Sequence, residues 1–386
     1  MTLAKRLLSA MLSLLLLLSI SGCWNYTEVE EISIVSGVAI DKEKSSGKIL
    51  LTVETIDTSG GGGEQENQAS STIHTLAGET MFDIVRGMIT MTGDKLFWSH
   101  AKAIIISEEV AKEGILKVMD WYSRDTETRS DVYIFIAKEK NARDILYLNK
   151  TKKTILSFEL GDMMQHEKFV STAPVSDIWE YFDSLESPGQ QAVAPLVYIN
   201  ERDNRKTERI SGCAVFSKDK MIGTLTGEET KYMLFVTNKI KGGIIPVHDK
   251  KGKPAFSLEI FSNKTKIKPV RVDGKLQMQI STVTKTGLDE VMIPKGFPDF
   301  EKKKEIEELA EQQMRKNILE VIHKAQMKYK ADIFGFGENI HMNMPKEWKK
   351  LKNNWDESFP LLQVVVKPEV IIETSAKTTR SIRIVE

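Results

Sequence analysis

Apolar positions along the chain fall into two rhythms that separate strands from helices. Ile32–Ile40 (ISIVSGVAI) is apolar and β-branched and ends at Asp41. A polar turn with Ser45-Ser46-Gly47 follows, then Lys48–Ile56 (KILLTVETI), so the two runs predict a hairpin. Met81, Ile84, Val85, Met88 and Ile89 recur at helical spacing and predict an amphipathic helix over residues 79–92. His100–Ile106 reads as a strand. Ser107 then caps a helix with Glu108 and Glu109 in its first turn and a stripe of Ala111, Ile115, Val118, Met119 and Tyr122. Gly114 lies inside that stripe and weakens the helix by up to about 1 kcal/mol relative to alanine. Val132–Ala137 is a further strand and Asn141–Leu148 a short helix.

The pattern changes from Thr151 to Asn200. Val175, Ile178, Trp179 and Phe182 mark a helix broken at Pro188-Gly189, and Val193–Ile199 is extended. The polar run Asn200–Arg209 is the best linker candidate. Beyond it Ile210–Phe216 pairs with Met221–Leu225 across Lys218-Asp219-Lys220, and residues from Glu228 to Lys239 read as a helix. Strands follow at Ala255–Phe261, Ile267–Val272 and Leu276–Thr284. The strongest helix signal is Glu301–Lys330, with Ile306, Ala310, Met314, Ile318, Val321, Ile322 and Ala325 on one stripe and charge opposite. It has too few clean heptads for a coiled coil and predicts a long helix packed on a sheet. Trp348, Leu351 and Trp355 share a last short helix. Leu361–Ile372 supplies closing strands, with Pro368 at an edge or bend. Runs of consecutive strands argue for a multidomain α+β chain with mixed or antiparallel sheets flanked by helices. The expected divisions are a leader over 1–22, an N-terminal domain over 23–140, a middle region over 141–205 and a C-terminal domain over 206–386.

The N-terminus changes the picture. Lys5 and Arg6 precede a stretch, Leu7–Ile20, that is apolar apart from Ser9, Ser13 and Ser19. It is short of the ~20 residues a spanning helix needs and fits the core of an export signal. Ile20-Ser21-Gly22-Cys23 reads as a lipobox, in which small residues let extended backbone enter a peptidase and the Cys23 thiol takes a diacylglyceryl group. Cys23 is thus the expected lipid-attachment residue. Two acyl chains on one residue suffice for stable anchoring.

Composition adds mainly exclusions. Without the leader, 364 residues remain, carrying 52 basic against 54 acidic side chains. This balance gives no electrostatic case for nucleic acid. With Cys23 acylated, Cys213 is the one remaining thiol, so no internal disulfide forms, and its apolar surroundings mark it as buried and inert. His74, His100, His166, His248, His323 and His341 are scattered, with no His-Glu-x-x-His or Cys-x-x-Cys pairing. Ser45 and Lys48 match Ser-x-x-Lys in a glycine-containing turn, by chance. Glu228-Glu229 is better explained by a helix dipole than as an acid and base. The Gly60–Gly63 run lacks the Gly-Lys-Ser/Thr ending of a phosphate loop. No catalytic residue, metal site or cofactor is expected, and the residues alone describe a lipid-anchored binding or assembly protein.

Several segments in order resemble one family. Gly22-Cys23-Trp24-Asn25-Tyr26-x-Glu28, running into Ile34-Val35-Ser36-Gly37-Val38-Ala39-Ile40-Asp41, resembles the start of mature Ger(x)C proteins, the lipoprotein C subunits of spore nutrient germinant receptors. Phe97-Trp98-Ser99-His100-Ala101-Lys102 with Ile104–Ile106 is similar to a later strand. Ser211-Gly212-Cys213-Ala214-Val215-Phe216, Lys220-Met221-x-Gly223 and Glu228-Glu229-Thr230 are similar to the opening of the C-terminal region. Gln326, Ala331-Asp332-Ile333-Phe334-Gly335-Phe336-Gly337, Pro345-x-x-Trp348 and Trp355-x-x-x-Phe359 resemble its end. Cys213 and Asn25 depart from the family pattern, which favours a small or apolar residue and an aspartate there. The resemblance implies an α+β fold of three domains. It also implies a non-enzymatic subunit held by diacylglyceryl-cysteine on the outer face of the spore inner membrane, beside membrane-embedded A-type and B-type receptor subunits. The rivals are the solute-binding lipoprotein of an ABC importer, which needs two α/β lobes around a cleft, and a lipid-anchored hydrolase, which needs a clustered triad or metal site.

Overall fold

The computed structural model describes residues 32–57, 70–148, 154–292 and 303–374, with a few helical positions between 3 and 13. Cys23, the lipobox and most of the leader lie outside the described residues, as does the Gly60–Gly63 run.

The first sheet starts with the expected hairpin, β1 (Ile32–Lys42) and β2 (Ile49–Asp57), followed by β3 (Ser70–Gly78). Helix α1 (Met81–Thr92) is capped by Thr80, whose side chain accepts from Asp83 N. Strand β4 (Lys95–Phe97) and β5 (Ala103–Ser107) come next, then α2 (Glu108–Glu113), α3 (Leu116–Arg124) and β6 (Tyr133–Ala137). Gly114 does more than weaken a helix. It adopts φ 130°, and a Cβ there would meet Asp219 Oδ2 at 2.5 Å, so the expected single helix is two, joined at a kink. All five residues of the stripe across this kink are buried.

A helical turn at Arg143–Leu146 leads to α4 (Leu156–His166), which the sequence pattern does not reveal, and α5 (Ile178–Glu186). Strands β7 (Val193–Arg202), β8 (Arg205–Ser217) and β9 (Lys220–Leu225) complete the sheet in the order β3-β2-β1-β5-β6-β7-β8-β9, with β4 beside β1. The linker reading of Asn200–Arg209 is corrected here. Asn200 pairs with Thr207 and Arg202 with Arg205 in a hairpin whose turn residues, Asp203 and Asn204, have positive φ. Polar side chains at a solvent-exposed hairpin tip imitate the composition of a linker.

Strands β1, β5, β6 and β7 are mutually parallel, and the flanking pairs are antiparallel. A parallel centre is buried on both faces, which is why Ile104, Ile105 and Ile106 are all inaccessible. Alternate residues serve opposite layers. Ile104 and Ile106 pack with Met81, Met88, Met119 and Tyr181 of α1, α3 and α5. Ala103 and Ile105 pack with Ile145, Leu156, Leu160 and Met164 on the other face.

Helix α6 (Gly227–Val236) leads into a second sheet of β10 (Ile244–His248), β11 (Pro254–Val272), β12 (Lys275–Val291) and β13 (Gln363–Thr374), in that order. The expected strands at 255–261 and 267–272 are one strand, because pairing to β12 continues through the polar middle from Phe256 to Val272, shifted only at bulges. Strand β13 joins parallel to β12 at the sheet edge, where Pro368 removes no interior ladder bond. Helix α7 (Lys303–Lys324) lies on this sheet as expected, with Ile306, Ala310, Met314 and Ile318 in one core with Ile280, Val366 and Val370. It ends in a π turn at Ala325–Tyr329, stopped by Lys330 at φ 52°. Helices α8 (Phe336–Asn343) and α9 (Pro345–Leu351) follow, and Trp355 begins a separate turn, so the expected last helix is divided. The fold class is α+β, with a parallel sheet centre added to the expected antiparallel pattern.

Candidate functional site

The histidines, serine and carboxyl groups singled out in the sequence lie in separate parts of the described fold. Of the six histidines, His166 Nδ1 meets Asp162 O at 2.8 Å, His248 meets Gln313 Oε1 at 3.3 Å, and His341 lies against the Trp348 ring. Among the described residues no three His, Cys, Asp or Glu side chains are grouped to hold a metal ion. Ser45 is exposed in its turn. Glu229 closes a capping box with Thr226, and both its oxygens lie 2.7 Å from Lys324 Nζ. Burial pushes its carboxyl up, but Lys324 and the Thr226 amide outweigh it and hold the group below the ordinary range. Glu229 is thus used for helix capping and for joining α6 to α7, while Glu228 pairs with Lys231 at 3.1 Å within α6.

Cys213 is fully buried, and burial pushes its thiol up to about 12, with Thr230 Oγ1 donating to Sγ at 3.5 Å. A thiol needs its anion to react, so the folded protein is expected to leave Cys213 unmodified by a maleimide at neutral pH. Labelling of a Cys23→Ala chain before and after denaturation checks this. Modification at the same rate in both states contradicts the assignment.

Carboxyl groups inside the protein do structural work that local pattern does not announce. Asp41, at the end of β1, accepts from Ala142 N at 2.6 Å and Arg143 N at 3.0 Å. Burial raises its carboxyl above the ordinary range against the pull of those two amides. Glu54 on β2 accepts from Leu156 N at 3.0 Å, Ser157 N at 2.9 Å, Ser36 Oγ at 2.9 Å and Ser71 Oγ at 2.8 Å. Glu167 receives the amides of Thr172 and Ala173, the latter at 2.7 Å. Asp332 accepts from Phe334 N at 3.1 Å, Phe336 N at 3.2 Å and Gly337 N at 2.8 Å, and burial pushes it up to about 6. Buried polar groups persist only when hydrogen-bonded, and each of these ties a loop or helix start to its layer. Asp41 and Asp332 both fall inside segments that carry the family resemblance, the one signal by which the sequence marks them.

The two sheets meet at a defined joint. Asp332 O accepts from Gln191 N at 2.9 Å, Gly189 O accepts from Trp355 Nε1 at 2.9 Å, and Tyr329 Oη donates to Thr224 O at 2.6 Å. Gly189 has φ 72°, and a Cβ would lie 2.6 Å from the Trp348 ring, so Pro188-Gly189 seats both tryptophans. A cleft of about 250 Å³ opens beside the joint, between Glu180, Gln190, Lys239, Phe334 and Asn339. Its lining holds Glu180 and Glu338 but no cysteine or histidine. No described helix is long and apolar enough to cross a membrane.

Comparison with known proteins agrees over nearly the whole chain. Residues 25–199 match the family described as spore germination protein N-terminal domain, and residues 211–376 match that described as spore germination B3/GerAC-like, C-terminal. The chain is 28% identical to spore germination protein YndF of Bacillus subtilis (strain 168), covering 95% of this chain and 96% of that one. It is also 28% identical to spore germination protein B3 of the same organism, covering 89% and 91%. The crystal structure of the GerBC protein superposes with a TM-score of 0.55 at 24% identity, covering 87% of this chain and 97% of that chain.

Proposed function

This chain belongs to the Ger(x)C family of spore germination proteins, and from that premise we propose that it is the lipid-anchored C subunit of a nutrient germinant receptor. The observation that carries the proposal is the succession of both family regions, in order, behind a lipobox at Cys23. In this role the chain performs no catalysis. Acylated Cys23 holds it at the outer face of the spore inner membrane, where it serves receptor assembly or signalling beside membrane-embedded A-type and B-type subunits. Confinement to a surface makes encounter with a membrane partner nearly intramolecular, which raises effective concentration without any new contact. A hydrogen-bonded joint between the two sheets and a set of buried, hydrogen-bonded carboxyl groups suit a scaffold. We propose the same leader over 1–22 as in the sequence reading, with the first nine-stranded sheet and the second sheet as the main folding units of the mature chain.

An importer's solute-binding protein gains no support from the fold. Its two lobes would repeat βα units around a cleft, whereas the second sheet here is antiparallel except where β13 joins β12. The test is a tagged copy at native level in spores, pulled from detergent-solubilised inner membrane beside a Cys23→Ala copy. Multi-spanning receptor subunits are expected to come with the wild type and to be lost or weakened with the variant. Recovery of permease and ATPase subunits instead, with no germination defect in the variant, overturns the proposal.

A further inference from the structure

We infer that the edge of the first sheet at which β1 begins is a membrane-facing surface that places Trp179 and Met91 in the lipid headgroup region. The inference rests on the proposed anchor at Cys23. Eight residues separate Cys23 from Ile32, the first residue of β1, and those nine steps of chain span at most about 30 Å. Whatever surrounds the start of β1 is therefore held close to the bilayer.

The surroundings of that strand end can be followed contact by contact. Ile32 pairs with Lys95, and Ser33 Oγ donates to Asp94 Oδ2 at 3.1 Å. Lys95 is ion-paired with Glu127, whose carbonyl accepts from Ser99 Oγ at 2.7 Å. Three residues further on, Ser130 O accepts from Trp179 N at 3.1 Å, which fixes the first turn of α5 to the same edge. Helix α1 runs back towards this edge, so Met91, in its last turn, lies four residues before Lys95. Phe97 pairs opposite Ile34 and meets the ring of the exposed His100.

Two of these side chains are large, apolar and solvent-facing without a packing role, Trp179 at 62% and Met91 at 50% exposure. Trp179 is notable because the helical stripe that contains Ile178 and Phe182 predicts it on the buried side. Tryptophan favours the boundary between water and acyl chains, where its ring is half buried and its N–H still finds a partner. Exposed Lys102 on this edge has a stem long enough to lie along lipid while its charge reaches headgroups. The opposite edge of the sheet differs in character. It carries the polar turn Glu43–Lys48, the hairpin tip Arg202–Arg205 and, near that turn, exposed Phe82 and Leu116, but no tryptophan and no tether. The tether enters at one edge only, and Trp179 and Met91 beside that entry select one orientation on the bilayer.

Nitroxide labels test this on the full acylated chain reconstituted in vesicles of phosphatidylglycerol and phosphatidylethanolamine. The sites are Trp179→Cys and Met91→Cys, with Ser45→Cys on the opposite edge as reference. Cys213 is buried and acylated Cys23 has no free thiol, so one site is labelled at a time. Labels at 179 and 91 are expected to lose collisions with an aqueous nickel chelate and gain them with oxygen, while the label at 45 stays aqueous. Three equally aqueous labels on a chain that carries its acyl mass and floats with the vesicles overturn the orientation and leave the anchor standing. A chain with no acyl mass on Cys23 that fails to float overturns the anchor and the orientation together.

Discussion

Glu54→Ala is expected to destabilise the first sheet by about 4 kcal/mol, because it strands several buried donors at once. Glu54 has no solvent exposure and receives Leu156 N, Ser157 N, Ser36 Oγ and Ser71 Oγ. Helix α4 has Ile155 at its N-cap and no side-chain cap of its own. Its free amides, and the positive end of its dipole, are met by a carboxyl group 102 residues earlier in the chain. Alanine leaves those amides without water or partner and opens space between β2 and α4. Glu54→Gln keeps an oxygen acceptor but turns an N–H₂ towards donors, so it falls between wild type and alanine. Thermal unfolding of the mature chain checks the order, with a midpoint drop of roughly 10 °C for alanine. A drop below about 2 °C shows that α4 is held by packing alone.

The second large effect is at Asp332, which sits where the two sheets join. Its carboxyl accepts three amides of the loop before α8 while its own carbonyl receives Gln191 N. Asp332→Ala is expected to cost about 3 kcal/mol by orphaning those amides, and to loosen Trp348 and Trp355 from Gly189. Near-ultraviolet dichroism of the tryptophans reports the second consequence. A pH dependence follows as well. Burial raises this acid from 3.8 in the ordinary range to about 6 in the fold. The folded protein therefore holds the proton more tightly than the unfolded chain. The stability this contributes is complete below 3.8 and is lost as pH rises through about 6. Denaturant unfolding at pH 4 and pH 7 should show wild type losing stability relative to Asp332→Asn, which has no proton to exchange. A parallel pH profile for the two proteins contradicts the assignment.

What could be read along the chain was what neighbouring residues decide among themselves. The β1–β2 hairpin, α1, the Ser107 cap, the β8–β9 turn and the buried stripe of α7 follow from period and capping, because backbone hydrogen bonds repeat every two or 3.6 residues. Cys213 was legible as buried for the same local reason. The family likeness is also written in order along the chain, as is the motif at Cys23 on which the proposed anchor rests.

The misreadings share another cause. Gly114 looked like a tolerated helix residue until Asp219 filled the space its missing Cβ leaves. Asn200–Arg209 looked like a linker because polar turn residues serve either end. Trp179 belongs to the apolar spacing that marks α5 yet stands exposed, because helical spacing says which residues share a face, not whether another layer covers it. Asp41, Glu54 and Asp332 carry no pattern of their own. The sequence by itself determined most of the elements and the family. Only the tertiary structure decided the strand order, the carboxyl groups that fasten helix starts, and which side chains surround the start of β1. Those depend on residues a hundred positions apart meeting in space, where burial and unsatisfied amides, rather than local periodicity, set the free energy.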